Sequence, residues 1–527
     1  MALSPPFNTV RSPRHMVASA DRLATQAGLR ALALGGNAVD AAIAANAALA
    51  VTGPHLCGMG GDLFAIVHID GDVHCLNASG RAGSGASAAS LRAGGRRHMP
   101  FRHDIRSVTV PGCVDGWVAL HRRFARLPLD ELFRPAVDLA EHGFPASPLL
   151  VGAVASLDAA SRSALTEVAS QALRPGARVR RPGVAAALRA VASGGRDAFY
   201  LGDFGTGLRR MGDGWFGEAD LASPGVDWVE SLAVDVLGVR LHTVPPNSQG
   251  YLALGGALLA ELLAAEGTLP GDPDDERWAH LLVESAKAAG FDRPAVLHEG
   301  ADGRSLLDAI SSRRHLVGES ASTLGTATAP GDTTYLCTVD DAGNGVSLIQ
   351  SNAAGFGSHL VEPTTGINLH NRGLGFSIDE GHPAEIRPGA RPPHTLSPLL
   401  ATHDGNLAAV LGTMGGDAQP QILLQILTRL FVHGSSPAEA VYAGRWALQG
   451  PVTGFDTWTS HQGPTLTVEG HAPGDWAAAL AARGHRVETR PAYDDDFGHA
   501  HVIVRDSEGF WAGAADPRAR VALAGGS

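Results

Sequence analysis

The sequence predicts a mixed α/β protein, because helical periodicity, hairpin patterns and glycine-marked turns alternate along the whole chain. Residues from about Ala18 to Leu34 carry apolar side chains at helical spacing and stop at Gly35-Gly36. Asn37 then reads as an N-cap with Asp40 three residues later, opening an alanine-rich helix to about Val51 whose small side chains suit close packing on a sheet. Leu63 to Val67 and Val73 to Leu76 flank Asp70-Gly71-Asp72 as a hairpin. Tyr335 to Asp340 and Val346 to Gln350 read as two strands around a turn at Asp341 to Gly345. Two more hairpins follow, Leu399 to Val410 turning at His403 to Asn406, and His501 to Ala512 turning at Asp506 to Gly509. Antiparallel hairpins set between helical segments predict two stacked sheets covered by helices.

Composition narrows the function classes. The net charge is −12, and the chain has no basic cluster beyond Gly94 to His98, which argues against nucleic acid as a partner. The first ten residues contain two prolines and no apolar core, so no signal peptide is expected, and no run of about eighteen apolar residues predicts a membrane span. Cys57, Cys75, Cys113 and Cys337 are too scattered for a metal site and read as buried thiols of a cytoplasmic protein. The glycine-rich stretches lack a phosphate-loop context, so no nucleotide is implied. His499-Ala-His501 is expected to be a pair of hydrogen-bonded strand histidines rather than a metal site, and Asp494-Asp-Asp496 an exposed acidic turn.

The most informative segment is Gly331-Asp332-Thr333-Thr334-Tyr335, where a small-residue, turn-forming stretch from Gly318 to Pro330 gives way to a strand. A cut after Asp332 would leave Thr333 with a hydroxyl and a free α-amine, a nucleophile carrying its own general base. An unperturbed α-amine has a pKa of about 7.7–8.0, so part of it is free base near neutral pH. Gly415-Gly416 ends the strand Leu407 to Leu411 and precedes a helical pattern from Gln421 to Leu430. Glycines at such a turn let backbone N–H groups face outward, where they can bind a developing oxyanion.

Gly35 to Ile43, Pro54 to Gly61, Val110 to Gly112, Thr333-Thr334, Phe356-Gly357, Arg391-Pro392, Gly415-Gly416 and Asp516 to Arg518 follow one another in an order and spacing that resemble the gamma-glutamyltranspeptidase family. The resemblance implies an N-terminal-nucleophile hydrolase, a single large α/β unit with a four-layer αββα sandwich, made as a proenzyme. Cleavage between Asp332 and Thr333 would give a large subunit, residues 1–332, and a small catalytic subunit, residues 333–527, that stay associated, with homo-oligomerisation left open. It also implies Thr333 as nucleophile, Gly415 and Gly416 as oxyanion donors, and the Ser351 hydroxyl as support for the nucleophile's amine. Arg81 matches the family arginine that grips a substrate α-carboxylate, a task suited to the parallel donors of a guanidinium. No cofactor or metal is implied.

Departures from the family pattern shift the expected substrate. The aspartate that holds a glutamyl α-amine falls on Gly375, and the usual asparagine near the nucleophile falls on Ala353, with Asn352 one place away as a candidate replacement. The serine pair after the arginine-proline becomes His394-Thr395. Only thirteen residues separate Ser377 from Arg391, too few for the longer lid of some relatives. Gly415 to Gln421 resembles the acylase-like and oxamate-amidohydrolase-like branch. The expectation is therefore a self-processing threonine hydrolase that cleaves an amide-like bond of a small acidic substrate through an acyl-enzyme. Alternatives are a true γ-glutamyl hydrolase or transpeptidase with His394, Thr395 or Asp417 replacing the missing contacts, a carbon–carbon acyl hydrolase, and a binding protein without catalysis.

Overall fold

The structure, a computed structural model, describes residues 8–324, 332–449 and 465–527. Residues 325–330 of the expected linker lie outside the described residues.

Local rules account for the first helices. Helix α1 (Arg22–Ala33) starts where the Asp21 side chain accepts from the Leu23 N–H. Helix α2 (Ala38–Thr52) opens on a complete capping box, in which Asn37 accepts from the Asp40 N–H while the Asp40 carboxylate accepts from the Asn37 N–H. All of α2 is buried, so it is apolar all round rather than along one stripe.

The strands of the two large sheets are β1 (Val10–Ser12), β2 (Met16–Ser19), β3 (Asp62–Ile69), β4 (Asp72–Ala78), β5 (Asp227–Val229), β6 (Leu232–Val236) and β7 (Val239–Thr243) in the first part of the chain. After them come β8 (Asp332–Val339), β9 (Gly345–Ala353), β10 (Leu399–His403), β11 (Asn406–Thr413), β12 (Ala500–Arg505), β13 (Trp511–Ala515) and β14 (Leu523–Gly526). One antiparallel sheet runs β14-β2-β8-β9-β3-β4-β5 and the other β1-β13-β12-β11-β10-β7-β6. Each hairpin read from the sequence is present, and each strand extends a residue or more beyond the expected bounds at one end at least.

The sheets pack face to face over Tyr335, Cys337, Ile349, Phe64, Leu400 and Val410. A Cβ on Gly412 would lie 2.3 Å from the Tyr335 ring, and one on Gly345 would lie 2.4 Å from Leu407, so glycines set the closest approach. Helices α1, α2, α3 (Cys113–Phe124), α4 (Leu129–His142) and α5 (Pro182–Tyr200) share a core with the outer face of the β8 sheet. Helices α6 (Tyr251–Ala265), α7 (Glu276–Gly290) and α8 (Gln419–Phe431) do the same for the β11 sheet. Among the described residues no helix is long and apolar enough to cross a membrane.

These contacts fix where Gly415-Gly416 lies relative to Thr333. Gly345, paired with Val339 at the far end of β8, meets Leu407 and Val410, whereas Gly412 meets Tyr335 near its start. Strand β11 therefore runs opposite to β8 across the interface, and its C-terminal end, leading into Gly415-Gly416, arrives beside Thr333.

Candidate active site around Thr333

Thr333 is buried and lies at a break in register: Asp332 pairs with Ala353, but Thr334 pairs with Gln350. The bulge leaves Thr333 facing Ser351 across β9. The Thr333 Oγ1 hydroxyl donates to Ser351 Oγ at 3.1 Å, and Ser351 Oγ donates to the Asp332 carbonyl oxygen at 2.7 Å. Ser351 Oγ also accepts from the Ala353 N–H at 2.8 Å, which fixes its rotamer. Thr333 Oγ1, Ser351 Oγ and the Asp332 carbonyl oxygen thus form one hydrogen-bonded row.

The Asp332 side chain points into its own small environment. Its carboxylate accepts from the Gly355 N–H at 2.7 Å, in a loop where Ala353, Gly355 and Gly357 all have positive φ. Burial pushes this carboxyl up to about 6, opposed by the Gly355 hydrogen bond and assisted by the charges of Asp495 and Asp496. The acidic turn expected at Asp494 to Asp496 is thus an electrostatic neighbour of Asp332.

On the other flank the row continues along the sheet. Asp62 is level with Ser351 in the β3–β9 pairing and is fully buried. Its Oδ2 accepts from Arg372 Nε at 3.1 Å and His394 Nε2 at 2.6 Å. His394 Nδ1 accepts from the Leu396 N–H at 3.2 Å, so the tautomer carries its proton on Nε2. Burial would raise Asp62, but His394 and Arg372 outweigh it and hold the carboxyl well below the usual range. Burial and Arg372 push His394 down to about 4, so it is a neutral donor to an anionic Asp62.

Arg372 Nη1 also donates to Thr395 Oγ1 at 3.1 Å. Gln249 Nε2 then donates to both Thr395 O, at 2.8 Å, and Gly416 O, at 3.1 Å. The chain of contacts that begins at Thr333 therefore returns to the glycine turn. Gly415 and Gly416 have φ of +130° and +55°, and neither N–H donates to another described residue. Asp417, next in line, pairs with Arg293 at 2.9 Å. The arrangement can activate a hydroxyl, polarise a carbonyl and present two unused N–H groups close by.

The Gamma-glutamyltranspeptidase family pattern matches residues 24–526. The chain belongs to the gamma-glutamyltranspeptidase family. It is 34% identical to the glutathione hydrolase-like YwrD proenzyme of Bacillus subtilis (strain 168), over 98% of this chain and 99% of that protein. It is 35% identical to the oxamate amidohydrolase proenzyme of Klebsiella pneumoniae, again over 98% and 99%. Among solved structures it is similar to the cephalosporin acylase of Bacillus halodurans, with a TM-score of 0.89, 32% identity, and coverage of 100% and 99%.

Within this gamma-glutamyltranspeptidase fold, the expected site residues divide into two groups. Thr333, Ser351, His394, Thr395, Gly415, Gly416 and Asp417 are joined by the contacts above. Arg81 follows β4, three strand spacings or about 14 Å along the sheet. There its guanidinium donates to Asp227 and Glu299, each at 2.8 Å, and to Gly389 O at 2.9 Å. Strand alternation turns Asn352 away from Ser351, and its amide donates to Pro54 O at 3.1 Å instead. Gly375 cannot be given back an acidic side chain in place, because a Cβ there would lie 2.3 Å from Pro393 O.

Sequence reasoning missed Asp62, Arg372 and Gln249. Asp62 directly follows the Pro54 to Gly61 block, a signal that adjacency to a motif offered; Gln249 carried none. Of the hydrogen-bonded histidines expected at His499 and His501, His501 accepts from the Asp516 N–H at 3.3 Å through Nδ1, whereas His499 corrects the expectation, since neither of its ring nitrogens has a partner among the described residues. Among the described residues, ligand atoms converge as a metal would need at His280, Glu284 and His485 and at Asp494 to Asp496. The first group is already closed, with Lys287 on Glu284 at 2.7 Å and His280 on His485 at 2.8 Å.

Proposed function

We propose that the chain is a self-processing threonine amidohydrolase of the acylase-like and oxamate-amidohydrolase-like branch, with the four-layer architecture of N-terminal-nucleophile hydrolases. The observation that carries this reading is the row Thr333 Oγ1, Ser351 Oγ, Asp332 O. In self-cleavage, Thr333 Oγ1 adds to the Asp332 carbonyl carbon while its proton passes to Ser351 Oγ and the Ser351 proton passes to the carbonyl oxygen. The C–N bond then breaks, its nitrogen takes a proton back through Ser351, and water hydrolyses the resulting ester. Residues 1–332 and 333–527 are the products.

The freed α-amine of Thr333 becomes the base for turnover. It takes the Oγ1 proton as the oxygen adds to a substrate amide, and the Gly415 and Gly416 N–H groups hold the oxyanion. The amine product leaves with that proton, and water releases the acyl group by the same route. Arg81 is the residue proposed to hold a substrate carboxylate, exchanging one of its acidic partners for the ligand. The relatives support an amide substrate, since oxamate amidohydrolase and cephalosporin acylase are both named for amide cleavage. A glutamyl α-amine has no acidic partner at Gly375, which sets the γ-glutamyl reading second.

Intact-mass measurement of purified protein, followed by turnover of oxamate and N-acyl amides, tests the reading. Two chains with a new N-terminal Thr333 and hydrolysis of at least one amide are expected; an uncut chain that still turns over substrate would overturn the mechanism.

A further inference from the structure

His55 and His499 are 5% and 2% exposed, and neither ring nitrogen of either has a hydrogen-bond partner among the described residues. A buried polar group left unpaired is costly, so four such nitrogens call for a partner that comes from outside the described residues. Their position is specific. His501 stacks on Tyr335, with ring centroids 6.2 Å apart, and His499 stands two residues earlier on the same face, as Thr333 stands two residues before Tyr335. The His499 carbonyl accepts from the Met414 N–H at 3.3 Å, and Gly498 packs against Met414 and Gly415. His55 projects from the turn after α2, its ring 6.2 Å from that of Phe356 in the loop that binds the Asp332 carboxylate.

We propose that His55 and His499 form a subsite for an uncharged hydrogen-bonding group, such as a carboxamide, on the leaving-amine side of the substrate. This rests on the proposed amidohydrolase reading, in which Arg81 takes the acyl side and the opposite flank of Thr333 remains for the leaving group. Each neutral imidazole offers one N–H donor and one lone pair, and a carboxamide offers the complementary set. Burial pushes both rings down to about 3, so they stay neutral in any working buffer and bring no charge to attract an acid. Neither ring belongs to a converging group of three or more metal-ligating side chains among the described residues.

The test compares N-glutaryl-β-alaninamide with its near-isostere N-glutaryl-isopentylamine as substrates of the processed enzyme. Wild type should show kcat/KM at least about tenfold higher for the amide, because a site built to hydrogen-bond a group discriminates against an analogue lacking it. The ratio should fall to near one in His55→Phe and His499→Phe and persist in His499→Gln, which keeps a donor and an acceptor. Complete self-cleavage of each variant reports that it folds. An unchanged ratio in both phenylalanine variants, or a wild-type preference for the isopentyl compound, overturns the subsite. If neither compound is hydrolysed, the amidohydrolase reading fails for them, and the subsite is judged by binding. N-acetyl-β-alaninamide should then shift the imidazole nitrogen resonances of His55 and His499, and unmoved resonances overturn the proposal.

Discussion

Thr333 and the Asp332 carbonyl are joined through the single oxygen of Ser351, so the three residues should fail in different ways. Thr333→Ala removes the attacking oxygen and should leave the chain uncut and inactive by intact mass and turnover, whereas Thr333→Ser should process slowly. Ser351→Ala keeps the nucleophile but breaks the relay, and a loss of about 10²–10³ in self-cleavage rate is expected, the scale seen when one transition-state donor is removed. Asp332 adds a pH term whose sign follows from burial. Its folded carboxyl is raised to about 6, above an unfolded value of about 3.9, so the unfolded chain releases this proton first as pH rises. The uncut Thr333→Ala protein should therefore lose stability between about pH 4 and 6, by at most about 3 kcal/mol, relative to the double variant that also carries Asp332→Asn. Parallel urea titrations of the two proteins across that range read the difference.

At the scale of elements, the glycine turn depends on backbone that other residues resist. Gly415 at φ +130° is strained with any side chain, so Gly415→Ala should cost about 1–3 kcal/mol and lower kcat, while leaving KM for small amides little changed. A second element-level staple lies near the C-terminus, where buried Asp516 binds Arg445 at 2.7 Å and Arg518 at 3.1 Å, and Arg518 also pairs with Glu469. Asp516→Ala leaves buried Arg445 without its carboxylate, takes one of two acidic partners from Arg518, and should destabilise the protein by about 3–5 kcal/mol in denaturant titrations. Helix starts and hairpins were legible in the sequence because local chemistry decides them: Asn37 and Asp40 cap α2, and Asp70-Gly71 turns β3 into β4. The candidate site could be read at Thr333 and Ser351, where motif and strand coincide, and at the Gly415-Gly416 turn that follows a strand. Asp62, Arg372 and Gln249 were not, because their roles depend on contacts such as Asp62 to Arg372, 310 residues apart. Arg81 could be named from its motif, yet its acidic partners Asp227 and Glu299 come from distant segments with no pattern of their own.

Across the whole molecule, the proposed cleavage divides the sheets in an alternating way. In the β8 sheet, β14, β9 and all of β8 after Asp332 belong to residues 333–527, whereas β2, β3, β4 and β5 belong to residues 1–332. Strand β2 is held between β14 and β8, and the β8–β9 pair between β2 and β3. The processed pieces should consequently co-elute on size exclusion at any dilution that leaves them folded and separate only in denaturant, and early elution of a lone small subunit would contradict this. The alternation has a further consequence for memory. An uncut chain carries its strand order in its connectivity and can find it again after melting, but a cut one must rebuild that order by collision between two partners. Self-cleavage would then act as a one-way ratchet, turning a protein that refolds into one that survives only as long as it never unfolds. Calorimetric rescans should recover the Thr333→Ala transition and lose that of the mature enzyme.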